Sequence, residues 1–172
     1  MKSTLALLLL AFTADFFGEF PARVFAGPAE DVQVAMQLLK SKTAMLGAPS
    51  VKGEEAVADK TAPALYFGTT KMNNNFALVD EVQKEAGGTA TLFVRNGDEF
   101  IRVATNVKKD DGSRAIGTIL DPKGNAIAAI AKGESYFGEA TILGKPYITG
   151  YEPIRDESNN VIGVYYVGYA KS

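Results

Sequence analysis

The chain of 172 residues contains no His, no Cys and no Trp. Each absence removes chemistry. Without His or Cys there is no Ser-His-Asp triad, no thiolate nucleophile, no CxxC redox pair, no zinc site built on nitrogen or sulfur, and no His- or Cys-ligated haem. Charge of one sign is missing as well: 18 Lys and Arg face 20 Asp and Glu, a formal net charge of −2. A chain so balanced has no broad basic surface for neutralising phosphates, which disfavours nucleic acid as its main partner. Long apolar runs are scarce too. The one at Leu5–Phe12 is far shorter than the roughly 20 residues that span a bilayer, and Asp15 and Glu19 follow it.

What is present reads as one globular domain behind a leader. Lys2, the apolar run and the small residues of Val24-Phe25-Ala26 make residues 1–26 a signal peptide, with a mature chain from Gly27. The alternative is a buried N-terminal helix. No second run of spanning length follows, so the mature chain is expected to be soluble, periplasmic or secreted, with no internal anchor. The lack of Cys suits an oxidising compartment without requiring one.

Beyond Gly27 the apolar spacing is first helical. Val34, Leu38, Met45 and Val32, Met36, Leu39, Leu46 recur at threes, fours and sevens, which predicts an amphipathic helix over 30–46 ended by Gly47 and Pro49. The Gly- and Pro-containing stretch 47–63 reads as a linker. A second helix is predicted over 75–86, capped by Asn74 or Asn75 and stopped by Gly87-Gly88.

The period then changes to two. Thr89–Val94 and Glu99–Val107 flank Arg95-Asn96-Gly97-Asp98, and Asn-Gly between β-rich runs is a strong hairpin signal. A short extended segment over 113–120, a brief helix over 121–132 closed by Gly133, and strands near 135–143, 145–154 and 161–170 complete the reading. The fold class is α+β: a PAS-like five-stranded antiparallel sheet behind a long N-terminal helix, with residues 27–47 as the helix and 63–170 as the core.

Enzyme signatures are mostly missing. No SxxK, GxSxG or GxGxxG occurs. Gly138 to Lys145 is a false phosphate loop, because five residues separate its glycines and Pro146 stands where Ser or Thr should hold magnesium. Glu54-Glu55 and Asp110-Asp111 lie side by side in polar turns rather than across a cleft, and Asp156–Asn160 lacks the spaced ligands of a calcium loop. The expectation is a binding protein with no catalysis, no metal and no cofactor.

Several long segments, in order and spacing, resemble one known family: Asn75–Asp80, the run Thr91–Thr118 that contains Phe-Val-Arg-Asn-Gly-Asp-Glu-Phe-Ile-Arg-Val-Ala-Thr-Asn-Val, Gly133–Gly138, Gly144–Ile154 and Val161–Val164. Together they are similar to the single Cache domain of the Cache 3/Cache 2 fusion type. The resemblance covers roughly 63–168. It implies an extracytoplasmic sensor domain of the kind carried by bacterial chemoreceptors and histidine kinases, with a small-molecule pocket between the sheet and its covering segments. Members usually continue into a second membrane helix and a cytoplasmic signalling module, whereas this sequence ends at Ser172, so any signal is expected to leave through a separate partner. Asn125-Ala126-Ile127 stand where members often have a Pro and an aromatic, and if that helix borders the pocket, ligand choice differs from theirs.

Residue chemistry can be weighed for such a pocket independently. Arg102 lies mid-strand, and plain alternation puts it with Phe100, Ala104 and Asn106, opposite Ile101, Val103 and Val107. A guanidinium grips a carboxylate with two prongs. The alternative is a salt bridge to Glu139 or Glu152. Arg114 matches the family pattern and is the other candidate clamp, against a loop-stabilising contact. Tyr147, Thr149 and Tyr151 share one face of a strand, with Tyr136 opening the preceding one, and tyrosines offer shape plus aimed hydrogen bonds. Cross-strand packing with Tyr165, Tyr166 and Tyr169 is the alternative. Lys145, at a turn, is an anion contact or a solvated lysine. The favoured ligand is a small organic carboxylate, and the rival reading is a ligand-free interaction module that docks on a membrane receptor or kinase through the first helix.

Overall fold

The computed structural model describes residues 27–171, so the leader expected at 1–26 lies outside the described residues. Helix α1 spans Pro28–Leu46, with Pro at its start and Glu30 and Asp31 in its first turn, where the helix dipole favours acids. Val32, Ala35, Met36 and Leu39 are buried. They form the inner stripe. The other stripe faces outward: Val34 and Met45 are exposed, and only Leu38 packs in part against the core.

Strands β1 (Pro49–Val57), β2 (Lys60–Phe67) and β3 (Thr70–Lys71) then build a small antiparallel sheet. This corrects the linker expected over 47–63. The residues that look like breakers occupy the positions a strand tolerates: Pro49 is the first residue of β1, and Gly53, at φ +68°, sits where the β1–β2 register shifts between Val51 and Glu54. Pro63 lies within β2, where its carbonyl accepts a hydrogen bond from Asn73 Nδ2 while Asn73 Oδ1 accepts from the Leu65 N–H. The end of α1 is pressed onto the β2–β3 turn. A Cβ on Gly68, whose φ is +58°, would stand 2.0 Å from the Leu46 carbonyl oxygen.

Helix α2 (Ala77–Ala86) begins two residues later than expected, because Asn75 Oδ1 accepts the Ala77 N–H in the turn before it. It packs on α1, and Lys42 reaches both Glu81 and Glu85. The predicted hairpin follows as β4 (Thr89–Asn96) and β5 (Glu99–Thr105), with Gly97 in the left-handed region. After α3 (Asn125–Ala131) come β6 (Tyr136–Ile142), β7 (Lys145–Arg155) and β8 (Val161–Ala170). The five strands order themselves β5-β4-β8-β7-β6, all antiparallel. This is the α+β, PAS-like architecture expected.

One face of the large sheet buries Leu92, Val94, Ile101, Val103 and Val167 against α1, α2 and the small sheet; the other buries Phe93, Phe100, Tyr151, Val164 and Tyr166 beneath α3 and the loop before it. The extended segment 113–120 returns along the outer edge of β5 with isolated bridges at Lys108–Arg114 and Ile101–Ile119, covering an edge that would otherwise be open. One expectation fails on this second side. Helix α3 is shorter than predicted because Asp121 folds residues 121–124 into a turn, its Oδ1 accepting the Lys123 N–H and its carbonyl the Gly124 N–H.

Candidate functional site

Between β6, β7 and the covering layer of α3 and its preceding loop lies a cavity of about 500 Å3. That is the size of an ordinary small-molecule site. Its walls are polar and apolar in equal measure: Ile119, Leu120, Ala126, Ala140 and Ile142 supply the apolar part, and Arg102, Tyr136 and Tyr151 stand among the polar groups with Asp121, Lys123 and Glu139.

Arg102 reaches this cavity by plain alternation, sharing the face of Phe100 opposite Ile101 and Val103, and a register fault follows it. Leu92 pairs with Ala104 but Phe93 pairs with Arg102, so Val103 is an extra residue on β5 and the alternation reverses there. Ala104 therefore joins Ile101 and Val103 on the helix side, and Asn106 points there too, donating from Nδ2 to the Val79 carbonyl. Arg102, Phe100 and Val107 belong to the other side. This corrects the grouping drawn from plain alternation for Ala104, Asn106 and Val107, while Arg102 with Phe100, opposite Ile101 and Val103, stands as expected. The backbone is pinned on its open flank: the Arg102 N–H donates to the Thr118 carbonyl at 2.9 Å, and the Arg102 carbonyl accepts from Gly117 at 2.9 Å.

The guanidinium itself is only 4% exposed. Its Nη1 donates to Thr118 Oγ1 at 2.6 Å, and that hydroxyl donates onward to the Ala115 carbonyl. The plane lies 5.0 Å from the centre of the Phe93 ring. No carboxylate pairs with it among the described residues, since Glu139 is bound to Lys171 and Glu152 to Lys40. Among the described residues the buried Nε–H has no acceptor. Burial pulls the Arg102 pKa down from its ordinary value, an effect opposed by Tyr166 and Tyr151 nearby. Arginine does not give up its proton in proteins, so the charge stays, and among the described residues the Thr118 hydroxyl and the Phe93 ring offset its desolvation only in part.

Tyr151 is buried beside it and stacked in a row of rings, 6.3 Å from Tyr136 and 5.0 Å from Tyr166. Burial raises the Tyr151 and Tyr166 hydroxyls well above the normal tyrosine value. Both are neutral donors at neutral pH. The Tyr166 hydroxyl meets Thr89 Oγ1 and the Tyr136 hydroxyl donates to the Glu139 carbonyl. Cross-strand packing and cavity lining are thus the same residues seen from two sides. Tyr165 and Tyr169 belong to the opposite face, where Tyr165 lies against Phe67 and Tyr169 donates to the Ala86 carbonyl.

The other residues singled out from sequence are elsewhere. Arg114 is held by both oxygens of Asp80, at 2.7 and 2.9 Å, and by the Thr105 carbonyl, with Phe76 beneath it. It fastens the covering loop to α2. Lys145 is exposed and meets Asp110 at 3.1 Å. Tyr147 packs at the margin of the aromatic cluster, and Thr149 is buried with its hydroxyl donating to the Gly138 carbonyl. Sequence reading missed the loop walls Ile119 and Leu120 and the rim charges Asp121 and Lys123. Of the helix flagged for its departure from the family pattern, Asn125 and Ala126 do border the cavity.

The arrangement offers one fixed cation with a spare donor, neutral hydroxyls and a partly apolar wall, a set whose chemistry suits an anion. Asp111 and Asp156 are engaged in their own turns: the Ser113 hydroxyl and N–H hold the Asp111 carboxyl below the usual carboxylate range, and the Asn160 side chain and N–H do the same for Asp156. Among the described residues no group of three or more His, Cys, Asp or Glu could hold a metal ion, and no helix is long and apolar enough to cross a membrane.

No curated protein matches the chain as a relative. The model of the Cache 3/Cache 2 fusion domain matches residues 29–172, nearly all of the chain beyond the segment read as a leader. The protein therefore belongs to the Cache 3/Cache 2 fusion family, whose members are extracytoplasmic sensor domains that bind small ligands, signal through partners and are generally not catalytic.

Proposed function

We propose that the protein is an extracytoplasmic sensor domain that binds a small organic carboxylate and reports it through a membrane receptor or histidine kinase. The observation that carries this reading is the buried Arg102 guanidinium, free of any carboxylate partner, with its Nε–H unsatisfied at a cavity of about 500 Å3. Leaving a buried donor unpaired costs about 1–3 kcal/mol. A carboxylate that accepts from Nε offsets that cost only while it is bound. The Tyr151 hydroxyl serves as the second donor, and the apolar part of the wall sets a limit on the ligand's carbon skeleton. In this reading residues 1–26 are a cleaved signal peptide and the mature domain works in the periplasm.

Signalling then follows from differential affinity. A ligand shifts an equilibrium only as far as it prefers one state, and the Arg102 charge provides the preference: the covering loop and α3 close over it when the anion is present. The sheet face opposite carries α1, whose Lys40–Glu152 pair ties it to β7, next to Tyr151 in the chain. Movement of β7 alters what α1 presents to a partner.

The test is thermal unfolding of the purified protein against short carboxylates, amino acids, polyamines and sugars. A ligand at 100 times its Kd adds about 2.7 kcal/mol, which raises the midpoint by several degrees for a domain of this size. Stabilisation by carboxylates as a class is the expected outcome. A response confined to polyamines or sugars contradicts the anion clamp. Silence across the panel favours a second reading, a docking module without ligand, to which the exposed Val34 and Phe137 beside Gln33 and Gln37 lend support.

A further inference from the structure

A second concavity, of about 490 Å3, lies on the far side of α3. The short helix is a wall of both. Asn125 and Ala126 face the first cavity, while Ile127 and Ile130 line the second. Three cations from three different elements converge there: Arg95 at the end of β4, Lys132 just past α3 and Arg155 at the end of β7. Among the described residues none of the three is in an ion pair. Their known partners are backbone carbonyls only. Arg155 Nη1 donates to the Asn159 carbonyl and Nη2 to that of Gly133, and Arg95 Nε donates to the Gly97 carbonyl. The single carboxylate on the wall is Asp98, leaving an excess of two positive charges.

Solvated surface cations normally spread apart or pair with acids. Gathered in one hollow they focus positive potential and recruit an anion. Arg155 is moreover held in place: its two bonds fix the guanidinium between the β7–β8 turn and the stop of α3, so the ordering of that side chain is already paid. The floor is apolar, formed by Phe100, Ile127 and Ile130. Two chemistries therefore meet in one groove, a charged rim for an oxyanion and a greasy base for a ring or short chain.

We infer that this groove is a second binding site, separate from the Arg102 cavity, for a small organic oxyanion: a carboxylate or phosphate monoester attached to an apolar group. The anion meets Arg95, Lys132 and Arg155, and the apolar part lies on Ile127 and Ile130. It does not depend on the Arg102 cavity being a ligand site.

Titration of the isotopically labelled purified protein with phenyl phosphate, benzoate and inorganic phosphate, followed through backbone amide shifts, tests it. The expected result is saturable shifts clustered at 95–100, 130–133 and 155–161 with phenyl phosphate or benzoate, and weaker binding of inorganic phosphate. The double variant Arg95→Gln/Lys132→Gln weakens binding about tenfold or more, as loss of charged hydrogen bonds requires. Asp98→Asn acts in the opposite direction and tightens it, a gain that misfolding cannot mimic. Shifts confined to 119–126 and 136–142, no saturable response to any probe, or a double variant that binds as the parent does would each overturn the inference. Inorganic phosphate binding as tightly as phenyl phosphate would remove the apolar half of it.

Discussion

Arg102 is a charge that the folded protein is better off without until something binds. Burial lowers its pKa in the folded state, so desolvation of the charge opposes folding, and because the guanidinium keeps its proton no change of pH relieves it. Replacing an uncompensated buried charge with an apolar side chain of similar length commonly stabilises a protein by about 1–4 kcal/mol. Arg102→Met is therefore expected to melt above the parent protein by calorimetry while losing all stabilisation by carboxylates. A variant that melts lower and still responds would show that the side chain is structural. The side to which Arg102 points was legible in the sequence, since alternation holds from Phe100 to Val103. The sides of Ala104, Asn106 and Val107 were not: the extra residue at Val103 reverses the alternation after it, and nothing in the local composition marks it.

At the scale of elements, the covering loop matters more than its lack of regular structure suggests. It closes the edge of β5, carries Thr118 to the guanidinium and is fastened to α2 through Arg114 and Asp80. Arg114→Ala removes a two-pronged but partly exposed contact and should cost about 1 kcal/mol in urea unfolding, with carboxylate affinity held within about twofold. A large loss of affinity with unchanged stability would instead make Arg114 a ligand contact. Helices and the strands of the large sheet were readable because period and turn chemistry agree there. The loop walls Ile119 and Leu120 were not, since their placement depends on backbone bonds to β5 rather than on any repeat. The small sheet was hidden for a different reason: its Pro and Gly occupy strand starts and bulges, positions that look like interruptions from sequence alone.

In the proposed reading the large sheet carries a binding layer on one face and a reporting layer on the other. The reporting layer depends on α1 being seated, and its end is locked where Leu46 meets Gly68. Gly68→Ala introduces a Cβ into that contact and a side chain at positive φ, and is expected to cost about 3 kcal/mol or more, a drop of roughly 10 °C in Tm. A variant that melts within about 2 °C of the parent would mean the junction yields easily and α1 is not firmly placed. The central claim, that the cavity holds a carboxylate on the unpaired donor of Arg102, is tested most directly by observing the arginine Nε–H resonances while a stabilising carboxylate is added. The account predicts that the Nε–H of Arg102 shifts to saturation at the midpoint of binding, while that of Arg114 stays in place. Saturating ligand with an unmoved Arg102 Nε–H would contradict it.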